Sequence, residues 1–181
     1  MISGKNHEDD TTLALIHCRQ ANQLTLLSGP PSKQSLDKSY IENFISMPGK
    51  KVVCGSTTTD IVARELKREV KTISIGNSFG EPPEYAMEGI DLVCEGAITL
   101  NQVYNIIDEP RERLSDASVV ERLCLMFKDA DVINLMVGNA VNVAHDDLIF
   151  KQIGVHVRRA TLEQIIIKLK KMGKLVIERY Y

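Results

Sequence analysis

The chain has 181 residues, of which 44% are hydrophobic and 25% charged, and its formal net charge is −2. These values predict one well-buried globular domain with room for a small appendage, and they exclude wholesale disorder. They also argue against a nucleic-acid binder, which carries a basic excess, and no apolar run approaches the roughly 20 residues that span a bilayer. The N-terminus is polar and acidic, and the four cysteines form no CxxC pair, so we expect a cytoplasmic protein without a signal peptide.

The first predicted elements are two apolar runs, LALIHC and QLTLLSG, which are separated by RQAN and together indicate a β-hairpin. Because a lone hairpin is marginal in water, residues 1–31 are predicted to be the terminal strands of another, incomplete domain. A double proline ends the second strand. Residues 32–49 are predicted to be a linker that contains a short helix, SYIENFISM.

Strands and helices alternate over residues 50–181. The predicted strands are KKVVC, VKTISI, IDLVC, DVINLMVG and KLVIERY. The predicted helices are TTTDIVARELKRE, LNQVYNIIDE, SDASVVERLCLMFKDA and ATLEQIIIKLKKMG, and GNSFGEPPEYAM is predicted to be a loop. Short, largely apolar strands are typical of a sheet with both faces covered. The pattern therefore predicts an α/β fold, a three-layer α/β/α sandwich with a mainly parallel sheet.

The candidate site consists of the polar residues that follow these strands, because ligands of open α/β sheets bind outside the carboxyl ends of the parallel strands. Hydroxyls, amides, a histidine and an arginine on one sheet edge suit a small anionic metabolite or nucleotide. The candidate ligand-binding residues are Gly55, Ser56, Thr57, Thr58, Glu95, Gly96, Gly138, Asn139, Asn142, His145 and Arg158.

The GSTTTD segment has two interpretations. A helix N-terminus at Thr57 offers free N–H groups and a favourable dipole to an anion. Alternatively, Thr57 and Asp60 form an ordinary capping box, in which Asp60 would repel an anion. The segment lacks the lysine of a P-loop and the spacing of a Rossmann GxGxxG, so the local signal favours the cap. When the other polar loops on the same sheet edge are considered as well, anion binding and helix capping are equally supported.

Two further residues also leave alternatives open. Glu95 either accepts hydrogen bonds from a ligand hydroxyl or amine, or forms a structural ion pair with Arg158 or Arg159. His145 has no nucleophile nearby in the sequence, which favours a structural or hydrogen-bonding role over catalysis. No catalytic motif occurs, and no catalytic residue is assigned.

Asp9 and Asp10 precede the first apolar run, and vicinal carboxylates suit Mg²⁺ or Mn²⁺. Together, DDTTLALIHC and LTLLSGPP resemble the end of the catalytic domain in bacterial PPM-type (protein phosphatase 2C-like) serine/threonine phosphatases of the stage II sporulation protein E kind. Downstream, VVCGSTTTDIVAREL, EGIDLVCEGAITL, VGNAVNVAHDD and VRR are similar to the C-terminal extension of one branch of that family.

The resemblance implies that Asp9 is a ligand of a two-metal hydrolytic centre, with Asp10 beside it, and that the intact enzyme uses Mn²⁺ or Mg²⁺ on a phosphoprotein substrate. The other carboxylates of that centre are missing from this chain. The resemblance therefore implies a catalytically silent fragment that needs no cofactor, with residues 50–181 as a regulatory or ligand-sensing domain. The family has a second glycine where this chain has Ser56, which would crowd a ligand.

Two other hypotheses remain at this point. In the first, the chain is a docking or dimerisation module without a small-molecule ligand, and a homodimer forms through the edge of the N-terminal hairpin. The hypothesis with the least support is an independent enzyme that acts through Glu95 and His145. None of the hypotheses involves nucleic acid or a membrane.

Overall fold

The computed structural model describes residues 12–76, 80–140 and 158–181. The strands in these ranges are β1 (Gln23–Ser28), β2 (Lys50–Cys54), β3 (Val70–Ser74), β4 (Glu84–Met87), β5 (Ile90–Cys94), β6 (Val132–Val137) and β7 (Leu175–Tyr180). The helices are α1 (Asp37–Ser46), α2 (Ser56–Leu66), α3 (Ala97–Ile106), α4 (Val119–Asp129) and α5 (Arg158–Lys171), with short 3-10 helices at Gln34–Leu36 and Arg111–Arg113. None of the helices in this described part is both long and apolar enough to cross a membrane.

The strands form one sheet in the order β3-β4-β5-β2-β1-β6-β7. The five strands β5, β2, β1, β6 and β7, which are neighbours in this sheet order, are all parallel. Strand β4 runs antiparallel to both β3 and β5. A mostly parallel sheet with helices on both faces confirms the predicted α/β three-layer sandwich. Strand β4 lies in the segment that was predicted to be a loop, and that part of the prediction is wrong.

Residues of β1 alternate between two apolar cores. Leu24 and Leu26 pack in the core with α3, α4 and α5, whereas Leu27 packs in the core with α1 and α2. All three leucines are buried, and each such burial contributes about 1.5–3 kcal/mol to the free energy of unfolding. Burial on both faces explains why the leucines of this strand lie on both sides of the sheet, with Leu26 and Leu27 in succession, rather than at every second position only.

The predicted N-terminal hairpin is wrong. Residues 12–22 form no strand, and the side chains of Leu13, Leu15 and Ile16 are exposed. Strand β1 instead pairs in parallel with β2 on one side and with β6 on the other. Residues 23–28 therefore share a sheet with the strands that follow residue 50, and helix α1 of the predicted linker packs on that sheet through Tyr40, Ile41 and Phe44. The physical reason is that an apolar strand gains more by burial on both faces than on one.

The helices begin in two different ways. Helix α4 has a side-chain cap, since the Oγ of Ser118 accepts a hydrogen bond from the backbone N of Glu121 at 3.2 Å. Helices α2 and α3 follow Gly55 and Gly96, and neither glycine can supply such a cap. Both of these uncapped helix starts lie at the carboxyl ends of parallel strands.

Candidate functional site at the carboxyl ends of the strands

The sheet reverses its winding between β1 and β6. After β1 the chain continues into α1 on one face of the sheet, whereas after β6 the next described helix, α5, packs on the opposite face. The carboxyl ends of these neighbouring parallel strands therefore flank a crevice, which is where open α/β sheets bind ligands.

A cavity of about 280 Å³ lies at this edge of the sheet. The loop after β2 contributes Gly55, Ser56, Thr57 and Thr58 to its lining, and the loop after β5 contributes Glu95 and Gly96. Arg158, the first residue of α5, also lines it. The structure thus brings together seven of the residues that were predicted from the sequence to bind a ligand.

The N-terminus of α2 is not a capping box. Its N-cap is Gly55, at φ +117°, and no side chain caps the helix. Thr57 lies in the first turn of α2 rather than at its N-cap, so the capping interpretation of GSTTTD is wrong. The N-cap of α3, Gly96, lies beside Gly55, since a Cβ built on Gly96 would be 3.3 Å from the Cα of Gly55. Two helix N-termini therefore open into the same cavity.

Two threonine hydroxyls of α2 hold the neighbouring loops in place. The Oγ1 of Thr58 accepts a hydrogen bond from the backbone N of Gly29 at 2.9 Å, which ties α2 to the end of β1. The Oγ1 of Thr59 donates to the carbonyl oxygen of Gly55, also at 2.9 Å. The hydroxyls of Ser56 and Thr57 are the exposed ones and lie at the cavity wall.

Arg158 carries the positive charge of the cavity. Its Nη2 donates to the carbonyl oxygen of Gly138 at 3.0 Å. Its Nη1 is buried and has no hydrogen-bond partner in the described part of the chain. Burial lowers the pKa of this guanidinium from its usual value. A largely desolvated cation with an unused donor favours an anionic ligand.

Glu95 brings a half-buried carboxylate to the same cavity. Neither of the ion pairs that the sequence suggested is present, because Arg159 pairs instead with Glu163, at 3.3 Å, and lies over the ring of Tyr180. Within the described ranges, the Glu95 carboxylate has neither a hydrogen bond nor an ion pair. The alternative in which Glu95 accepts hydrogen bonds from a ligand therefore remains.

The thiol-bearing residue Cys54 lines the cavity, and Cys94 lies beside it in the sheet. Cys54 and Cys94 are register partners at the ends of β2 and β5, and both are fully buried free thiols. A hydrogen bond with Cys94 and burial together raise the pKa of Cys54 well above its usual value. Since the thiolate is the reactive form, Cys54 is an inert packing group rather than a nucleophile.

Gly138 and Asn139 act through their backbones. The N of Gly138 donates to the carbonyl oxygen of Ser28 at 2.9 Å, and the N of Asn139 donates to that of Tyr181 at 2.8 Å. A Cβ on Gly138 would lie 2.0 Å from the carbonyl oxygen of Pro30, so no larger residue fits there. These two residues join the ends of β1, β6 and β7 rather than line the cavity.

Four nominated residues, Asp9, Asp10, Asn142 and His145, lie outside the described residues. In the described part of the chain, no group of three or more histidine, cysteine, aspartate or glutamate side chains is placed to hold a metal ion. The metal prediction and the role of His145 therefore stay predictions.

The sequence also missed lining residues. Gly29 and Pro30 line the cavity directly after β1, and Cys54, Ala97 and Ala140 complete its described wall. The rule that selected the other loops would have found Gly29 and Pro30 if QLTLLS had been recognised as a parallel strand. Because that strand was assigned to a hairpin, Gly29 and Pro30 were not predicted as lining residues.

The sequence matches no protein-family model and no curated protein. Among solved structures, a phenylacrylic acid decarboxylase from Aquifex aeolicus is similar at 10% identity and a TM-score of 0.32, over 88% of this chain and 81% of that chain. A similarity at this level supports no conclusion about activity.

The predicted relationship to PPM-type phosphatases is wrong. Neither comparison of the sequence returns that family. The strand that had been assigned to the end of a phosphatase domain is the central β1 of this sheet, parallel to both of its neighbours. The predicted role as the regulatory C-terminal region of such an enzyme is wrong with it.

Proposed function

We propose that this chain binds a small anionic metabolite in the cavity at the carboxyl ends of its parallel strands. The observation that supports this most directly is the placement of Arg158. Its buried Nη1 has no partner in the described ranges, and the residue lines the same cavity as the starts of α2 and α3. No other described residue combines a buried, unpaired cationic group with a cavity.

The chemistry of the wall supports an anion in three ways. The first N–H groups of a helix have no intrahelical acceptor, and the helix dipole adds a partial positive charge there. Because Gly55 and Gly96 supply no capping side chain, a ligand oxygen can take that position in both α2 and α3. The guanidinium of Arg158 can donate to a phosphate or carboxylate through its unused nitrogen.

The proposal concerns binding, and no reaction is assigned to the cavity. Its described wall contains no nucleophile with a base beside it, and the pKa of the Cys54 thiol in that wall is raised well above its usual value. A reducing compartment such as the cytoplasm is part of the proposal, and its support is that all four cysteines are free.

The test compares two adjacent arginines. Isothermal titration with inorganic phosphate at constant ionic strength is performed on the wild type, on Arg158→Gln and on Arg159→Gln. We expect the wild type and Arg159→Gln to bind equally, because Arg159 is exposed and pairs with Glu163 outside the cavity. Arg158→Gln is expected to bind at least tenfold more weakly, since it loses a charge-assisted hydrogen bond.

Thermal unfolding of each variant in phosphate-free buffer shows whether Arg158→Gln is folded, so that lost binding is not confused with lost structure. Equal phosphate affinity in the two arginine variants would overturn the proposal, as would a wild type that binds neither phosphate nor any member of a panel of anionic metabolites.

A further inference from the structure

The negative charge of Glu95 is unfavourable in a cavity that binds an anion without hydrogen-bond donors. Glu95 lies between the last residue of β5 and the N-cap of α3, and it lines the cavity beside the helix N-termini. A carboxylate at this position repels inorganic phosphate. Since its oxygens have no hydrogen bond or ion pair in the described part of the chain, they are free to accept hydrogen bonds from a bound molecule.

A ligand that satisfies both charges has two different ends. One end is an anion, held by the starts of α2 and α3 and by Arg158. The other end brings hydrogen-bond donors to Glu95. An ionised carboxylate is an acceptor only, and its two oxygens accept from two neighbouring hydroxyls at once. Charge-assisted hydrogen bonds of this kind are about twice as strong as neutral ones.

The size and composition of the cavity narrow the ligand class further. At about 280 Å³, the cavity is at the lower limit of the roughly 300–1,000 Å³ that is common for small-molecule sites. Its described wall consists of glycine, alanine, proline, cysteine and hydroxyl side chains besides Glu95 and Arg158, and it contains no aromatic ring on which a nucleobase could stack. These features favour a compact, hydroxyl-rich ligand over a nucleotide.

We propose that the ligand is a sugar phosphate. Its phosphate lies at the paired helix starts and Arg158, and two of its hydroxyls donate hydrogen bonds to Glu95. This inference rests on the proposed anion site and adds a specificity-determining residue to it: Glu95 selects phosphates that carry hydroxyls and rejects those that do not.

The experiment uses the full chain and three ligands that share one anionic group. Isothermal titration measures the affinity for ribose 5-phosphate, for n-butyl phosphate, which has no hydroxyls, and for inorganic phosphate. We expect the wild type to bind ribose 5-phosphate about tenfold or more tightly than n-butyl phosphate, because two hydrogen bonds to a carboxylate are gained.

The variant pair is Glu95→Gln and Asp60→Asn. Each removes one negative charge from the chain without a change in shape, but Asp60 is exposed on α2 and does not line the cavity. Glu95→Gln is expected to bind ribose 5-phosphate and n-butyl phosphate within about threefold of each other, and to bind inorganic phosphate more tightly than the wild type does, because the repulsion is gone. Asp60→Asn is expected to keep the wild-type preference.

The outcomes separate this inference from the anion site itself. If phosphate binds through Arg158 but the wild type does not distinguish ribose 5-phosphate from n-butyl phosphate, the sugar-phosphate inference is overturned and the anion site stands. A preference that persists in Glu95→Gln also overturns it. If the wild type binds none of these phosphates, the sugar-phosphate inference is overturned, and the anion site is overturned with it when no anionic metabolite of the panel binds either. O-phosphoserine is titrated as a fourth ligand, and tighter binding of it than of ribose 5-phosphate would place an ammonium group rather than hydroxyls at Glu95 and overturn the sugar assignment.

Discussion

Gly96 approaches Gly55 so closely that a Cβ on Gly96 would lie 3.3 Å from the Cα of Gly55. Each glycine is the N-cap of a helix, and the two helices follow neighbouring parallel strands. The absence of both side chains is therefore what allows two helix N-termini to share one cavity. The contact also joins the two strand ends, because the N of Gly55 donates to the carbonyl oxygen of Cys94 at 2.9 Å.

Substitution of Gly55 by alanine should destabilise the chain. Gly55 has φ +117° and ψ 135°, a conformation that is almost confined to glycine, so alanine there should lower the free energy of unfolding by about 2–3 kcal/mol. The control is Gly173→Ala, at φ +79° with no neighbour within 4 Å, which should cost about 1–2 kcal/mol. Urea unfolding measures both variants. An equal or smaller loss for Gly55→Ala would contradict the strain at this position.

Gly29→Ala should weaken phosphate binding even though Gly29 carries no charge. A Cβ at Gly29 would lie 1.2 Å from the Nη1 of Arg158, so the guanidinium must leave its position. We expect the variant to lose as much phosphate affinity in isothermal titration as Arg158→Gln, about tenfold or more. Gly80→Ala is the control, because Gly80 also has a positive φ, +86°, but does not line the cavity. Wild-type affinity in Gly29→Ala would show that Arg158 does not hold the anion.

Thr58→Val should destabilise the chain more than Thr57→Val. The substitution of Thr58 removes the acceptor of the buried N–H of Gly29 and leaves that donor unsatisfied, at a cost of about 1–3 kcal/mol. Thr57 is exposed, so its substitution should stay within about 0.5 kcal/mol. The urea midpoints of the two variants provide the comparison, and similar midpoints would argue against the bond between α2 and the end of β1.

The stability of the chain should fall at low pH through Asp131. Arg19 donates two hydrogen bonds to this carboxylate, at 2.6 and 2.7 Å, and the N of Asn22 donates a third at 2.7 Å. The hydrogen bonds from Arg19, followed by that from Asn22, lower the pKa of Asp131 from 3.8 to about 2. The folded pKa is below the unfolded one, so the contribution is present above about pH 4 and is lost as the pH falls through 2.

Asp131→Asn tests this pH dependence. The difference in free energy of unfolding between the wild type and Asp131→Asn should be largest above pH 4 and should shrink as the pH falls to 2, as measured by urea unfolding across that range. Arg19→Ala should show the same flattened profile, because it removes the main cause of the lowered pKa. A difference that is constant from pH 5 to pH 2 would contradict this account.

The elements that the sequence predicted best are those whose signals are local. The strands KKVVC and IDLVC have the predicted bounds, because an apolar run before a glycine-containing turn marks a strand wherever it pairs. The runs QLTLLS and EYAM carry the same local signal, yet one was assigned to a hairpin and the other to a loop. The wrong assignment of QLTLLS arises from its pairing partner, which the local signal does not identify, since β1 pairs with β6 more than a hundred residues away in sequence.

The candidate site shows the same division between local and distant information. The residues at the ends of β2 and β5 could be nominated because a polar loop after an apolar strand is visible in the sequence. The sequence could not predict that two helix N-termini open into one cavity, since the approach of Gly96 to Gly55 depends on the order of the strands.

The sequence by itself determined the class of fold, because alternating apolar strands and amphipathic helices can bury their apolar surface only in a layered α/β arrangement. It also determined which residue types follow each strand. Only the tertiary structure decided that β1 is central, that the hydroxyl of Thr58 binds the end of β1, and that Arg158 lines one cavity with Gly55 and Glu95. The physical reason is that strand order and side-chain burial are set by contacts between distant segments, which no local pattern encodes.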